Sequence, residues 1–248
     1  MDGRYFYREV SEDGNGVGRT SCNVARAVGA SRLRQLESIA NFAQGPWKRR
    51  IAEAGQNPVI LGFLVEWVVL GTLAQGRTLW AGEDFPVGGL KVDKFSGPLP
   101  PSGPHRNRPT IYIPTTYNYG GVDAILAIRP KLRKHELKEG TKAVVVGVQV
   151  TIAQSHSDSE ASFMRNWRGW DTVMGCDRIE FRFLWIVEDL PAGKSSDWEN
   201  VTAGTRTLRS QNIDVHPEYR RRYVSIMDFD NSIGEQLKIA RKTGATMS

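Results

Sequence analysis

Residues 141–159, TKAVVVGVQVTIAQSHSDS, decide how the rest of the chain is read. Residues 143–147 form an unbroken run of small and β-branched side chains, the pattern of a strand buried on both faces. Polar residues then enter at fixed spacing. Gln149 and Thr151 share one face of the strand because side chains alternate along it, and His156 follows in the turn before a helix. Two polar side chains on one face of so apolar a strand must find hydrogen-bond partners inside the fold or point at a ligand.

Downstream, residues 157–176 predict one helix. Ser157 or Asp158 is its N-cap, Glu160 suits the positive end of its first turn, and Phe163, Met164, Trp167 and Trp170 form a face. IEFRFLWIVED, residues 179–189, sets Ile179, Phe181, Phe183, Trp185 and Val187 against Glu180, Arg182 and Glu188. Such alternation predicts a half-buried strand near a sheet edge. A Gly- and Ser-bearing loop is expected over 190–209, then a last strand within 216–229 and a short terminal helix over 229–242. Arg220, Arg221 and Arg222 are the densest basic run and read as a solvated edge rather than a nucleic-acid contact.

Upstream, VILGFLVEWVVLGTLAQG predicts a nearly all-apolar helix over 59–74 closed by Gly76, with Glu66 its one carboxylate. A carboxylate there must meet a cation, a donor or a metal, or reach water at a helix edge. Residues 77–109 hold most of the chain's proline-rich sequence and read as a long surface loop or an inserted hairpin. Two short strands follow, over 110–115 and 122–128, joined by a turn at Gly120 and Gly121. Asp123 opens the second strand, either as a cap for the turn or as part of a site. Residues 129–140 read as a charged hairpin.

The N-terminal residues 1–19 predict an irregular, loosely docked arm, residues 21–42 one or two amphipathic helices, and residues 45–58 a connector with a short helix. The expected division is therefore an arm and helical extension over 1–57 and an α/β domain over 58–248, with the proline-rich insertion inside it. Trp47 beside Lys48, Arg49 and Arg50 can grip a phosphate strand or pack beside a solvated basic turn; Arg106 and Arg108 offer the same choice at the end of the insertion.

The chain has 248 residues, 40% of them hydrophobic and 24% charged, which suits a globular protein with a substantial core. Its net charge of +6 favours polyanionic partners without requiring one. Cys22 and Cys176 form neither a disulfide framework nor a zinc motif, so a reducing compartment is expected. The first residues lack the apolar core of a signal peptide, and no run approaches membrane-spanning length, so membrane insertion is not expected. Phosphate loops of nucleotide-binding spacing, internal repeats and a serine-hydrolase elbow are all missing, which disfavours those reaction classes.

Glu66 on a helix, then a strand, Asp123 opening a strand, Gln149 and Thr151 on a third, a helix and a further strand give the order α-β-β-β-α-β. This resembles the restriction-endonuclease-like core of the PD-(D/E)XK superfamily, a mixed central sheet flanked by helices, here with an N-terminal helical extension and an extra C-terminal strand and helix. More narrowly, IPTTYNYGGVDAILAI followed by GVQVTIAQSH resembles the nuclease-like C-terminal module of Crinkler effectors and retrotransposon hot spot proteins. That module carries an Asp and then Gln-x-Thr, with a His seven residues after the Gln, matched here by Asp123, Gln149, Thr151 and His156; the resemblance covers about residues 59–189.

The resemblance implies a magnesium- or manganese-dependent phosphodiesterase acting on DNA or RNA. Glu66, Asp123 and the Gln149 carbonyl would be the metal ligands, Thr151 would orient water or phosphate, and His156 would assist proton transfer. Gln149 and Thr151 stand where the wider superfamily has a carboxylate and a lysine, and a hard cation prefers anionic oxygen. An alternative therefore stays open: a catalytically inactive module that binds nucleic acid or a nuclear transcription or chromatin complex. The resemblance also implies a nuclear location. A purely structural interaction protein is the third reading.

Overall fold

The computed structural model describes residues 6–10, 16–20, 47–54, 57–76, 89–100, 103, 109–115, 119–128, 142–152, 159–175, 178–208 and 211–245. The chain is an α/β protein built on a mixed seven-stranded sheet. Its elements are β1 (Phe6–Val10), β2 (Gly16–Thr20), α1 (Trp47–Glu53), α2 (Pro58–Ala74), β3 (Lys91–Phe95), β4 (Thr110–Pro114), a 3-10 turn (Tyr119–Gly121), β5 (Ala124–Ile128) and β6 (Lys142–Thr151). There follow α3 (Ser159–Met164), α4 (Gly169–Met174), β7 (Arg178–Val187), β8 (Glu199–Val201), β9 (Gly204–Leu208), β10 (Gln211–His216), β11 (Tyr219–Ser225), α5 (Ile226–Phe229) and α6 (Asn231–Ala245).

The sheet runs β3-β4-β5-β6-β7-β11-β8. β6, β7 and β11 are parallel, while β5 is antiparallel to both its neighbours. As their apolar runs predict, β4 and β5 are buried along their whole length and β6 from Val145 to Thr151. Alternation sorts their side chains into two cores. Val146, Val148, Val150, Leu126, Leu184 and Ile186 face α1, α2, α5 and α6. Val145, Ile125, Phe181, Phe183, Trp185 and Tyr223 face α3 and α4.

α2 starts where Asn57 caps it, its side chain accepting from the N–H groups of Val59 and Ile60 at 3.2 Å each, with Pro58 at the first helical position. Apolar on all sides, it is buried continuously from Val65 to Ala74. Each full aliphatic burial, as at Val65 or Leu70, contributes about 1.5–3 kcal/mol. α1 adds Ile51 to the same core, and α6 adds Ile233, Leu237 and Ala240.

Several expectations need correcting. Parts of residues 1–19 pair as an antiparallel hairpin, Phe6 opposite Thr20 and Val10 opposite Gly16; Asp13-Gly14 and Asn15-Gly16 are hairpin signals that the Gly-rich composition obscured. The proline-rich insertion contributes β3, a parallel edge partner of β4. The expected single helix is two short ones, with Trp167 N–H and Gly169 N–H bonded three residues back to Met164 O and Asn166 O across the break. That break lets Phe163 reach Gly147 while Trp170 reaches Tyr112.

β7 is central rather than near an edge, and it is buried from Phe181 to Val187. Its alternating polar residues face protein, not water: Arg182 is 4% exposed, pairs with Glu180 at 2.6 Å and lies under Trp198. The loop expected over 190–209 contains β8 and β9, and β10 pairs with β9 as a separate hairpin. The terminal helix expected over 229–242 is present as Asn231–Ala245. The helices expected over 21–42, the charged hairpin over 129–140 and the caps Ser157 and Asp158 lie outside the described residues, as do Cys22 and Cys176.

Candidate functional site

β5 and β6 bring Asp123 and Gln149 together. Ala124 pairs with Val148, so Asp123, one residue ahead of β5, stands beside Gln149 on the face covered by α3. Both are buried, at 5% and 7% exposure. Asp123 N–H donates to Val148 O at 2.9 Å, and Asp123 Oδ2 accepts from Val150 N–H at 2.8 Å and from Gln149 Nε2 at 2.9 Å. The carboxylate thus takes the place of a strand carbonyl at the end of the β5–β6 ladder. Gln149 Oε1 is buried and has no hydrogen-bond partner. An amide held by its N–H side with its oxygen left over is a group waiting for a donor or a cation.

The turn before Asp123 is built to close tolerance. Gly121 adopts φ +73, and a Cβ there would fall 2.5 Å from Ser159 Cα, so α3 begins directly against the turn. One turn further along α3, a Cβ on Gly147 would meet the Phe163 ring at 3.0 Å. These two glycines fix the depth at which α3 lies over Gln149.

In register with Gln149 stands Trp185 on β7, and with Trp185 stands Tyr223 on β11. Asp123, Gln149, Trp185 and Tyr223 therefore form a lateral row across four strands. Trp185 and Tyr223 stack with centroids 5.9 Å apart and planes 5° apart. Glu160 of α3 closes over this row, accepting from Trp185 Nε1 and Tyr219 Oη at 2.6 Å each and from Arg221 Nη1 at 3.4 Å. Arg221 also reaches Glu199 at 3.3 Å.

The electrostatics follow from that packing. Burial, then the bond to Glu160 and its charge, push the Tyr219 phenol well above its ordinary value. Tyr223 is raised for the same leading reason. Burial alone would lower the Arg221 guanidinium, but the charges of Glu160 and Tyr223 outweigh it and leave it raised. Sequence reading assigned Glu160 only to the helix dipole and Arg220, Arg221 and Arg222 to a solvated edge. Instead Arg221 sits in this network, Arg220 lies over Trp198, and Arg222 donates to Ser196 O. The period-two spacing of Tyr219, Arg221 and Tyr223 was the available signal.

Thr151, 8% exposed, shares the α3 face with Gln149 two residues on. Glu66 is buried on α2, which packs on the opposite face of the sheet, against Val146, Val148 and Val150. Gly62, one helical turn before Glu66, lies against Ile152 just past β6, so the start of α2 crosses that end of the sheet on the face away from Gln149. Among the described residues, no group of three or more His, Cys, Asp and Glu is placed to hold a metal ion. His156, Arg106 and Arg108 lie outside the described residues. Lys48, Arg49 and Arg50 are exposed on α1, with Lys48 over Trp47 at 5.7 Å and Arg49 paired to Glu53 at 2.9 Å. No helix among the described residues is long and apolar enough to cross a membrane.

Compared with protein-family models, curated proteins and solved structures, the chain matches none.

Proposed function

We propose that this chain is a divalent-metal-dependent phosphodiesterase acting on nucleic acid, built on a restriction-endonuclease-like core of α2, β4, β5, β6, the α3–α4 pair and β7. The observation that carries the reading is the buried, unpartnered Gln149 Oε1 beside the Asp123 carboxylate. Both are hard oxygen donors, one of them anionic, and this donor chemistry fits magnesium or manganese. Glu66, a second buried carboxylate, lies with α2 on the opposite face of the sheet and does not join this pair.

In this reading Asp123 and Gln149 would hold the ion, which when bound would supply Lewis acidity to a phosphodiester. The chain's own groups do the rest. Val150 N–H and Gln149 Nε2 fix the Asp123 carboxylate, Thr151 orients water or phosphate, and His156 moves a proton to or from the reacting oxygen. The expected result is cleavage of plasmid DNA or RNA with magnesium or manganese, lost in Asp123→Ala. Absence of cleavage with every divalent ion tried would sink the proposal.

A second reading keeps the fold and drops the chemistry: a nuclear module that binds nucleic acid or a transcription or chromatin complex. What favours it is that Asp123 Oδ2 is already engaged by two donors in closing a strand end. Calorimetry separates the two. No heat with magnesium or manganese, together with steeply salt-dependent nucleic-acid binding, selects the binding module.

A further inference from the structure

α3 has two functional sides. Its sheet side holds Glu160 over the row that contains Gln149, while Ala161, Met164 and Arg165 border a groove of about 500 Å3 on the other side. Trp167 and Arg168 of the break between α3 and α4 continue the wall, and Asp214, Val215 and His216 of β10 close it. The volume lies in the range of small-ligand clefts, room for one or two nucleotides rather than for a helix or a duplex.

The chemistry of the wall is specific. Arg165 and Arg168 are exposed and make no ion pair among the described residues. Arg168 lies 5.1 Å from the Trp167 ring centroid, and Trp167 is braced from below by the edge of Phe181 at 6.4 Å. The His216 ring is fixed edge-on to Tyr219 at 5.5 Å, and its Nδ1 donates to Pro217 O at 2.9 Å. Because a carbonyl only accepts, the neutral ring then carries its lone pair on Nε2. Two guanidiniums against one carboxylate, Asp214, leave the wall net positive beside two braced ring systems, a surface for negative charge and flat aromatic groups.

We propose that this groove binds single-stranded nucleic acid, with Arg165 and Arg168 on phosphates and Trp167, the Arg168 guanidinium plane and His216 on unstacked bases. A duplex hides its base faces and presents its phosphates on a surface broader than the groove. The break in the expected helix is what sets half-buried Trp167 and exposed Arg168 side by side on the groove wall. This inference rests on the reading of the chain as a nucleic-acid-directed module and names the form of its ligand.

The test uses the full chain in EDTA, where binding is read without cleavage, by fluorescence anisotropy of a labelled oligothymidine. Arg165→Glu combined with Arg168→Glu, both exposed and outside the core, should weaken binding by about tenfold or more. Trp167→Ala should weaken it by roughly tenfold as well. Lys238→Glu with Lys242→Glu, both exposed on α6, should change it less than about twofold. The proposal is overturned if the groove variants bind like the parent, if duplex is preferred, or if an acidic peptide competes as well as the oligonucleotide. Its failure is distinct from that of the phosphodiesterase reading. Cleavage that depends on Asp123 but ignores the groove variants overturns the groove alone, whereas oligothymidine held by the groove in a chain that never cleaves overturns only the chemistry.

Discussion

The amide of Gln149 donates to Asp123 Oδ2 at 2.9 Å, while its own oxygen, equally buried, meets no donor. The pair is thus half satisfied, and each half makes a different demand. The Asp123 side is structural, since it closes the β5–β6 ladder; the Gln149 oxygen is available for a ligand.

Substitutions at Asp123 should separate those roles. Asp123→Ala leaves Val150 N–H and the Gln149 amide without their acceptor, at about 1–3 kcal/mol for each buried group, so denaturant unfolding should show a loss of about 2–6 kcal/mol. Asp123→Asn keeps an acceptor oxygen for Val150 and should cost about half as much while removing the negative charge. Cleavage lost in a folded Asp123→Asn variant assigns the charge to chemistry; cleavage retained there removes Asp123 from the metal set.

Gln149→Glu places a second carboxylate within hydrogen-bond reach of Asp123. Without metal the two acids repel, so thermal stability in EDTA should fall by about 1–3 kcal/mol. Manganese should recover that loss, with a larger rise in melting temperature than the parent shows. Equal shifts in variant and parent would mean that no ion sits between these positions.

The raised phenols make stability sensitive to alkali, and the sign is fixed. Burial leads the rise at Tyr219 and Tyr223, and it holds Tyr119 up at about 12, its hydroxyl donating to Pro98 O. A group raised in the folded state contributes fully below its unfolded value near 10 and loses that contribution as pH climbs towards the folded value. Melting temperature should therefore decline above about pH 10. Tyr219→Phe should lower stability at neutral pH by about 1.5–3 kcal/mol through the lost bond to Glu160, and should flatten the alkaline decline. An unchanged alkaline slope would detach Tyr219 from that network.

Gly121→Ala should be among the most damaging single-methyl changes in the chain. It demands φ +73 of an alanine and drives Cβ to 2.5 Å from the Ser159 backbone, which has no flexible side chain to move aside. A loss of about 2 kcal/mol or more is expected. Gly147→Ala, pressed against the Phe163 ring at 3.0 Å, should cost about 1–3 kcal/mol. Gly147→Ala retaining full stability would show that α3 can lift off the sheet.

Much of the central sheet was legible because its signals are local. β4, β5 and β6 are short apolar runs of the kind that become doubly buried strands, and Asn57-Pro58 with a terminal glycine brackets α2. The adjacency of Asp123 and Gln149 was also within reach, since the antiparallel register follows from their positions in two neighbouring runs. What escaped was set by distant partners. Arg182 and Glu180 look solvent-facing in sequence and become internal only because they pair and Trp198 covers them. Glu160 looks like a dipole residue until Trp185, Tyr219 and Arg221, up to 61 residues later, converge on it. The break after Met164 leaves a helical hydrophobic period intact on both sides, so periodicity alone reads it as continuous.

The parallel run β6-β7-β11 also constrains how the molecule is assembled. No two of these strands can be joined by a tight turn, so each must wait for a long excursion of chain to return before its backbone groups are paired. Closure of such loops slows folding, and until β7 docks, the ten-residue strand β6 shows a bare edge to other chains. Yield on refolding from denaturant should accordingly fall as protein concentration rises, with the vulnerable interval ending when α3 swings its Phe163 down onto Gly147.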